Sequence, residues 1–137
     1  MTDHNLEAIA AAMVQPRKGI LAADESTGTI GRRLDSIGVA NTEDNRRTWR
    51  EMLFTTPEIS DYISGVILYD ETIRQDASDG KPLREHLTDR GVIPGIKVDL
   101  STNPLANSDG ELITDGLDGL RARLDEYREL GAKFTKW

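Results

Sequence analysis

Four short apolar runs, "GILAAD" (19–24), "ISGVILYD" (63–70), "VIPGIKVD" (92–99) and "AKFTKW" (132–137), alternate with stretches of helical periodicity. This alternation is the strongest constraint on the fold, because strands separated by helices are most simply joined as parallel βα units. The first run is flanked by glycine and too short for a helix, so it reads as a buried strand. The second is the clearest, four of its eight residues being Ile, Val or Leu. The third is weakened by Pro94 and Gly95, which strands tolerate poorly.

Helical spacing fills the gaps. Leu6, Ile9, Ala10 and Met13 fall on one face and predict a lead helix within residues 1–16, ended by Pro16. Ile30, Leu34 and Ile37 predict a helix capped near Gly38. Thr42, followed by Glu43 and Asp44, is a good start for another, running through Trp49, Met52 and Leu53 toward Pro57. "PLREHLTDRG" begins on a proline and stops at Gly91. Leu117, Leu120, Leu124 and Tyr127 predict a last helix ending at Gly131, and "LSTNPLANSDGE" between them reads as loop.

Length and charge exclude several classes. A chain of 137 residues supports one domain with a modest core. A net charge of −7 argues against nucleic acid as the main partner. With no cysteine there is no disulfide, thiolate metal site or cysteine nucleophile. The start lacks a basic segment followed by an apolar core, and no run approaches the roughly 18 apolar residues of a membrane span. A cytoplasmic protein without membrane contact is expected.

Parallel α/β folds bind ligands where strands end and loops leave for the helices. The first strand delivers "DESTGTIGRR" (24–33): an acid, hydroxyls, glycine, then Arg32 and Arg33 in the first turns of a helix. Hydroxyls, free backbone N–H groups and cations at a helix start suit a phosphate. Alternatively, Ser26 or Thr27 caps the helix while both arginines are solvated. Lys97 and Lys136 lie within apolar strands. A desolvated lysine has a lowered pKa and becomes a base or nucleophile, whereas an edge lysine only snorkels to water. His4 and His86, the two histidines, form no visible metal constellation.

"GILAADESTGTIGRRL" resembles the first strand and loop of the class I fructose-1,6-bisphosphate aldolases, and "NTEDNRRTWREMLFTT", "ISGVILYDETI", "GVIPGIKVD" and "DGLDGLRARLDEYRELGAKFTKW" continue the likeness in order. The resemblance implies a (β/α)₈ barrel and cleavage of fructose 1,6-bisphosphate to dihydroxyacetone phosphate and glyceraldehyde 3-phosphate, in glycolysis and gluconeogenesis. The family uses a lysine Schiff base and no metal cofactor. Many members are homotetramers, so a homo-oligomeric parent is expected.

Carried onto this sequence, the resemblance makes Asp24 the carboxylate that supports carbinolamine formation and orients substrate hydroxyls. Lys136 matches the second active-site lysine, which assists proton transfers without forming the imine. Lys97 matches a lysine near the substrate 6-phosphate, and Ser26, Thr29, Arg32 and Arg33 fall where that phosphate is held. Familiar members often carry serine at the position of Thr29 and lysine at that of Arg32, and both exchanges keep the chemical type.

A complete barrel needs on the order of 250 residues. The resemblance therefore implies a single incomplete domain over residues 1–137, the N-terminal half of the barrel. The imine-forming lysine, the paired glutamates of its acid–base step and the 1-phosphate site are expected beyond Trp137, so these residues alone are expected to be inactive. The competing expectation is a truncated, non-catalytic binding or assembly module acting through open strand edges. A small doubly wound domain unrelated to aldolase would require every match to be chance.

Overall fold

The structure, a computed structural model, describes residues 6–137. In chain order the first elements are α1 (Leu6–Met13), β1 (Gly19–Ala23), α2 (Thr27–Asp35), α3 (Glu43–Phe54), α4 (Ile59–Tyr62) and β2 (Ile63–Leu68). They are followed by α5 (Asp70–Arg74), α6 (Leu83–Asp89), β3 (Ile93–Lys97), β4 (Ser101–Pro104), β5 (Leu112–Asp115), α7 (Leu120–Glu129) and β6 (Phe134–Lys136). The predicted lead helix is α1, its first expected residues lying outside those described.

All four predicted strands form one parallel sheet in the order β1-β2-β3-β6. The intervening helices cover one face of it. Ala23, Val66, Leu68, Ile96 and Val98 project into a core completed by Phe54, Ile73, Leu83, Leu87 and Tyr127. Each fully buried Leu, Ile or Phe side chain contributes about 1.5–3 kcal/mol over its exposed state.

Pro94 costs the sheet nothing. In a parallel strand the N–H and C=O of one residue point to the same side. The Pro94 carbonyl accepts from Lys133 N at 2.8 Å, on the β6 side, so its missing N–H would face that side too. Pairing with β6 starts only at Gly95↔Phe134, one residue later.

Gly95 is required by packing. A Cβ there would collide with the Phe134 ring, and one at Gly65 would meet the same ring at 3.1 Å. The two glycines leave a shallow seat across β2 and β3 in which the aromatic of β6 lies.

Two expectations need correction. The segment read as loop contains β4, which pairs antiparallel with β5 from Ser101↔Asp115 to Pro104↔Leu112. Every residue of its two strands is exposed, so no buried/exposed alternation marked it. Ile37 and Leu117 lie outside α2 and α7 and are 63% and 73% exposed, where helical periodicity had placed them on apolar faces. Both sit in turns that terminate or precede the helices.

The buried face of α3 is also unexpected: Arg46, Arg50 and Phe54, spaced by four residues, point inward. Its N-cap follows prediction, Thr42 Oγ1 accepting from Asn45 N at 3.2 Å. Among the described residues no helix is long and apolar enough to cross a membrane.

Candidate active site

Residues two apart on a strand share a face. With Ala23, Leu68 and Ile96 turned to the core, Asp24, Tyr69, Lys97 and Lys136 turn to the other side, at the C-terminal ends of their strands. The register places them in one row: Ala23 pairs with Leu68, Leu68 with Ile96, and Lys97 with Lys136. They line a cleft of about 820 Å³ together with Ser26 and Thr29 from the start of α2 and Arg33, which with Arg32 falls in the last turn of that helix and not, as the sequence suggested, in its first turns.

The row is bent. A flat sheet would hold β1 and β6 about 14 Å apart, three spacings of roughly 4.8 Å, beyond the combined reach of a lysine and an aspartate. Lys136 Nζ nevertheless donates to Asp24 Oδ2 at 2.6 Å. The sheet is therefore strongly curved, and the cleft lies on its concave side, as in the wall of a barrel. The Asp24 side chain is 7% exposed and that of Lys136 43%, so the carboxylate is fixed at the cleft floor while the ammonium reaches it from the open side.

Lys97 is held by its own strand end, donating to Asp99 Oδ2 at 2.6 Å and to Asp99 O at 3.0 Å. It is neither an unpaired interior amine nor a freely snorkelling surface one.

At the other rim, Ser26 occupies the N-cap position of α2 but its side chain caps nothing. Its hydroxyl lies 3.1 Å from that of Thr29. Both alcohols thus face the cleft, next to the N-terminal turn of the helix. Arg33 pairs with Glu25 and is 57% exposed, free to exchange that partner for an anion. Arg32 does not line the cleft; it is exposed and donates to Thr29 Oγ1 at 3.4 Å, backing the hydroxyl from outside. The structure therefore gathers Asp24, Ser26, Thr29, Arg33, Lys97 and Lys136 around one space and leaves Arg32 at its edge.

Several lining groups escaped the sequence reading. Tyr127 Oη donates to Asp70 Oδ1 at 2.8 Å, tying α7 to the end of β2. Arg74 joins the same carboxylate at 2.8 Å and Glu126 at 2.5 Å. Partial burial opposes ionisation of Asp70, but hydrogen bonds from Arg74 and Tyr127 outweigh it and hold its carboxyl below the usual range. Burial and the Asp70 charge push the Tyr127 phenol up. Arg123 donates to Val98 O at 2.8 Å and Gly116 O at 2.5 Å, fastening the chain that leaves β5 to the end of β3. The strand-end acids in "LYD" and "KVD" were the available signal for Asp70 and Asp99.

The wall thus carries five cations (Arg33, Arg74, Lys97, Arg123, Lys136) and five acids (Asp24, Glu25, Asp70, Asp99, Glu126). The two signs balance there, whereas the chain as a whole carries −7. Hydroxyls beside a helix start and exchangeable cations are chemically suited to an anionic head, and the Asp24–Lys136 pair to giving and taking protons. His86 lies away from the cleft, against Asp79 at 3.2 Å, and His4 is outside the described residues. Among the described residues no cluster of three or more His, Asp or Glu side chains is arranged to hold a metal ion.

Known proteins resemble this chain in sequence and fold. A family model described as fructose-bisphosphate aldolase class-I matches residues 5–137. The chain is 59% identical over 137 residues to a probable fructose-bisphosphate aldolase class 1 of Xanthomonas campestris, covering all of this chain and 41% of that protein. It is 58% identical over 132 residues to a fructose-bisphosphate aldolase, cytoplasmic isozyme, of Cicer arietinum, covering 96% of this chain and 37% of that one. A solved structure of fructose-bisphosphate aldolase from Plasmodium falciparum, in complex with TRAP and a small-molecule inhibitor, superposes with a TM-score of 0.95 at 46% identity. It covers 96% of this chain and 38% of its own. The chain spans about two fifths of the length of the curated relatives it matches, and its four strands are the N-terminal half of a (β/α)₈ barrel. With the strand order, the curved wall and the matched residues in agreement, the chain belongs to the class I fructose-bisphosphate aldolase family.

Proposed function

We propose that the full-length protein containing these 137 residues cleaves fructose 1,6-bisphosphate to dihydroxyacetone phosphate and glyceraldehyde 3-phosphate through a lysine imine, without a metal. The observation that carries this reading is the Asp24–Lys136 contact at 2.6 Å on the cleft floor. A carboxylate and an ammonium in direct contact hold one proton donor and one acceptor at a single place, which reversible carbonyl addition and C–C cleavage both need.

The imine withdraws electrons from the neighbouring carbon and stabilises the carbanion left when the C–C bond breaks. Asp24 orients the substrate hydroxyls and receives or returns a proton as the carbinolamine forms and collapses. Lys136 stabilises developing negative charge and moves protons without becoming the nucleophile. Ser26, Thr29 and Arg33 receive the 6-phosphate, with Arg32 supporting Thr29 and Lys97 approaching from β3.

By the family resemblance, the imine-forming lysine lies outside residues 1–137, so this stretch alone does not turn over substrate. We place the full-length protein in the cytoplasm as a homo-oligomer; the name of the Cicer arietinum relative supports the location. The decisive experiment is borohydride reduction with dihydroxyacetone phosphate. The full-length protein is expected to be trapped covalently at a lysine other than Lys97 and Lys136, and the 137-residue chain to remain unlabelled. Labelling of either of those two lysines would overturn the assignment.

One observation favours a second reading, a non-catalytic assembly module: the outer edges of β1 and β6 have no strand partner among the described residues. Size-exclusion chromatography of the 137-residue chain separates the two. A stable, cooperatively melting monomer argues against edge-driven assembly.

A further inference from the structure

We infer that Arg50 is a positioning residue for Asp24, holding the main chain on both sides of it. The inference deepens the aldolase reading and rests on it for its kinetic consequence, though not for its structural one.

Arg50 is fully buried, on the inward face of α3. Its Nε donates to Ala23 O at 3.2 Å and its Nη2 to Glu25 O at 2.6 Å. These two carbonyls bracket Asp24. The guanidinium fork therefore grips the bend where β1 ends and α2 begins, at the residue whose carboxylate meets Lys136. A planar group with donors in fixed directions can hold two carbonyls at once; a lysine cannot.

The surroundings explain how a charge survives there. Glu25 lies 3.7 Å away and Glu71 3.6 Å, and the guanidinium sits 5.8 Å from the centre of the Tyr69 ring. The neighbouring Arg46 takes the stronger contacts with Glu71, at 2.6 and 2.9 Å, and touches neither carbonyl. Arg46 and Arg50 are thus two buried arginines of one charge network, and only Arg50 reaches the Asp24 backbone. The network continues outward, since Glu25 also pairs with Arg33 at the phosphate rim. Burying an arginine is costly unless it is well paired, and several cheaper residues could fill this volume. Its placement on the two carbonyls gives it a role beyond filling space.

The test compares Arg50→Met, Arg50→Lys and Arg46→Met in the full-length protein, with kinetics taken well below each melting transition. Arg50→Met is expected to lower kcat about 100-fold, the effect of displacing a reacting group by about 1 Å, with a smaller change in KM because Arg50 contacts the Asp24 main chain directly and reaches Arg33 only through Glu25. Arg50→Lys is expected to fall between Arg50→Met and the parent, one carbonyl regaining a donor. Arg46→Met is expected to lower the melting temperature and leave kcat unchanged. Equal loss of kcat in Arg46→Met and Arg50→Met would reduce Arg50 to a structural residue and overturn the inference.

A crystal structure of Arg50→Met, or of Arg50→Lys if the first does not fold, reads the positioning directly. The Asp24–Lys136 contact is expected to open beyond hydrogen-bond distance. A contact unchanged at 2.6 Å overturns the inference whether or not the protein proves to be an aldolase. A parent protein without cleavage activity would instead overturn the functional reading alone.

Discussion

Lys136 Nζ donates to Asp24 Oδ2 at 2.6 Å, although 112 residues and two intervening strands separate them. The contact closes the concave wall at its two edges and sets proton donor against acceptor. Asp24→Asn removes the acceptor with little change of shape, and Lys136→Met removes the donor. In the full-length protein each is expected to lower kcat for fructose 1,6-bisphosphate cleavage by about 10²–10⁴-fold, the range for loss of a positioned acid or base. Steady-state kinetics should show KM little changed. A variant that raises KM and spares kcat would mean the pair binds substrate and does not act in the chemistry.

The phosphate rim proposed above predicts the opposite pattern. Lys97→Met removes a charged donor of a kind worth about 1.5–3 kcal/mol, and KM for the bisphosphate is expected to rise about 10- to 100-fold. Arg33→Ala should raise KM less, because its exposed guanidinium is screened by solvent. Arg32→Ala should leave KM close to the parent value, since Arg32 stands outside the cleft. Equal effects at Arg32 and Arg33 would refute this arrangement of the rim.

Much of this was legible in the sequence because it rests on local periodicity. "ISGVILYD" reads as a buried strand, and the strand ends made Asp24, Lys97 and Lys136 candidates, but only the family resemblance, not periodicity, gave the two lysines a role. The two acids that complete the wall were visible at strand ends but had no partners to give them meaning: the Asp70–Tyr127 bond spans 57 residues. Arg50 was hidden for a different reason. Composition rules place arginine outside, and only the four-residue spacing of Arg46, Arg50 and Phe54 betrays the inward face. The hairpin of β4 and β5 escaped because none of its residues is buried, so it carries no alternation to read.

Asp70 predicts a pH dependence of stability. Its folded pKa lies below the ordinary 3.8 because Arg74 and Tyr127 favour the carboxylate. A depressed acid contributes stability that is present above the ordinary value and is lost as pH falls through the folded one. The window is therefore below pH 3.8. Asp70→Asn is expected to melt lower than the parent protein at neutral pH, with the gap shrinking as pH drops through that window. Thermal melts of both proteins over an acid series measure it, and a gap independent of pH would remove Asp70 from the account.

The seat beneath Phe134 predicts that a methyl group can disturb the site from below. Gly95→Ala places a Cβ against the Phe134 ring, and Phe134 lies two residues before Lys136 on the same face of β6. Either the ring or the strand must move. Overpacking of this kind costs about 1–3 kcal/mol, and a shift of β6 also carries Lys136 away from Asp24. Gly95→Ala is expected to lower both stability and kcat, whereas Phe134→Leu, which withdraws the ring, should restore part of each in the double variant. Denaturant melts and kinetics on the four proteins of this cycle give the coupling between the two sites. If the losses simply add, the glycine is not there for the ring, and its place in β3 has another cause.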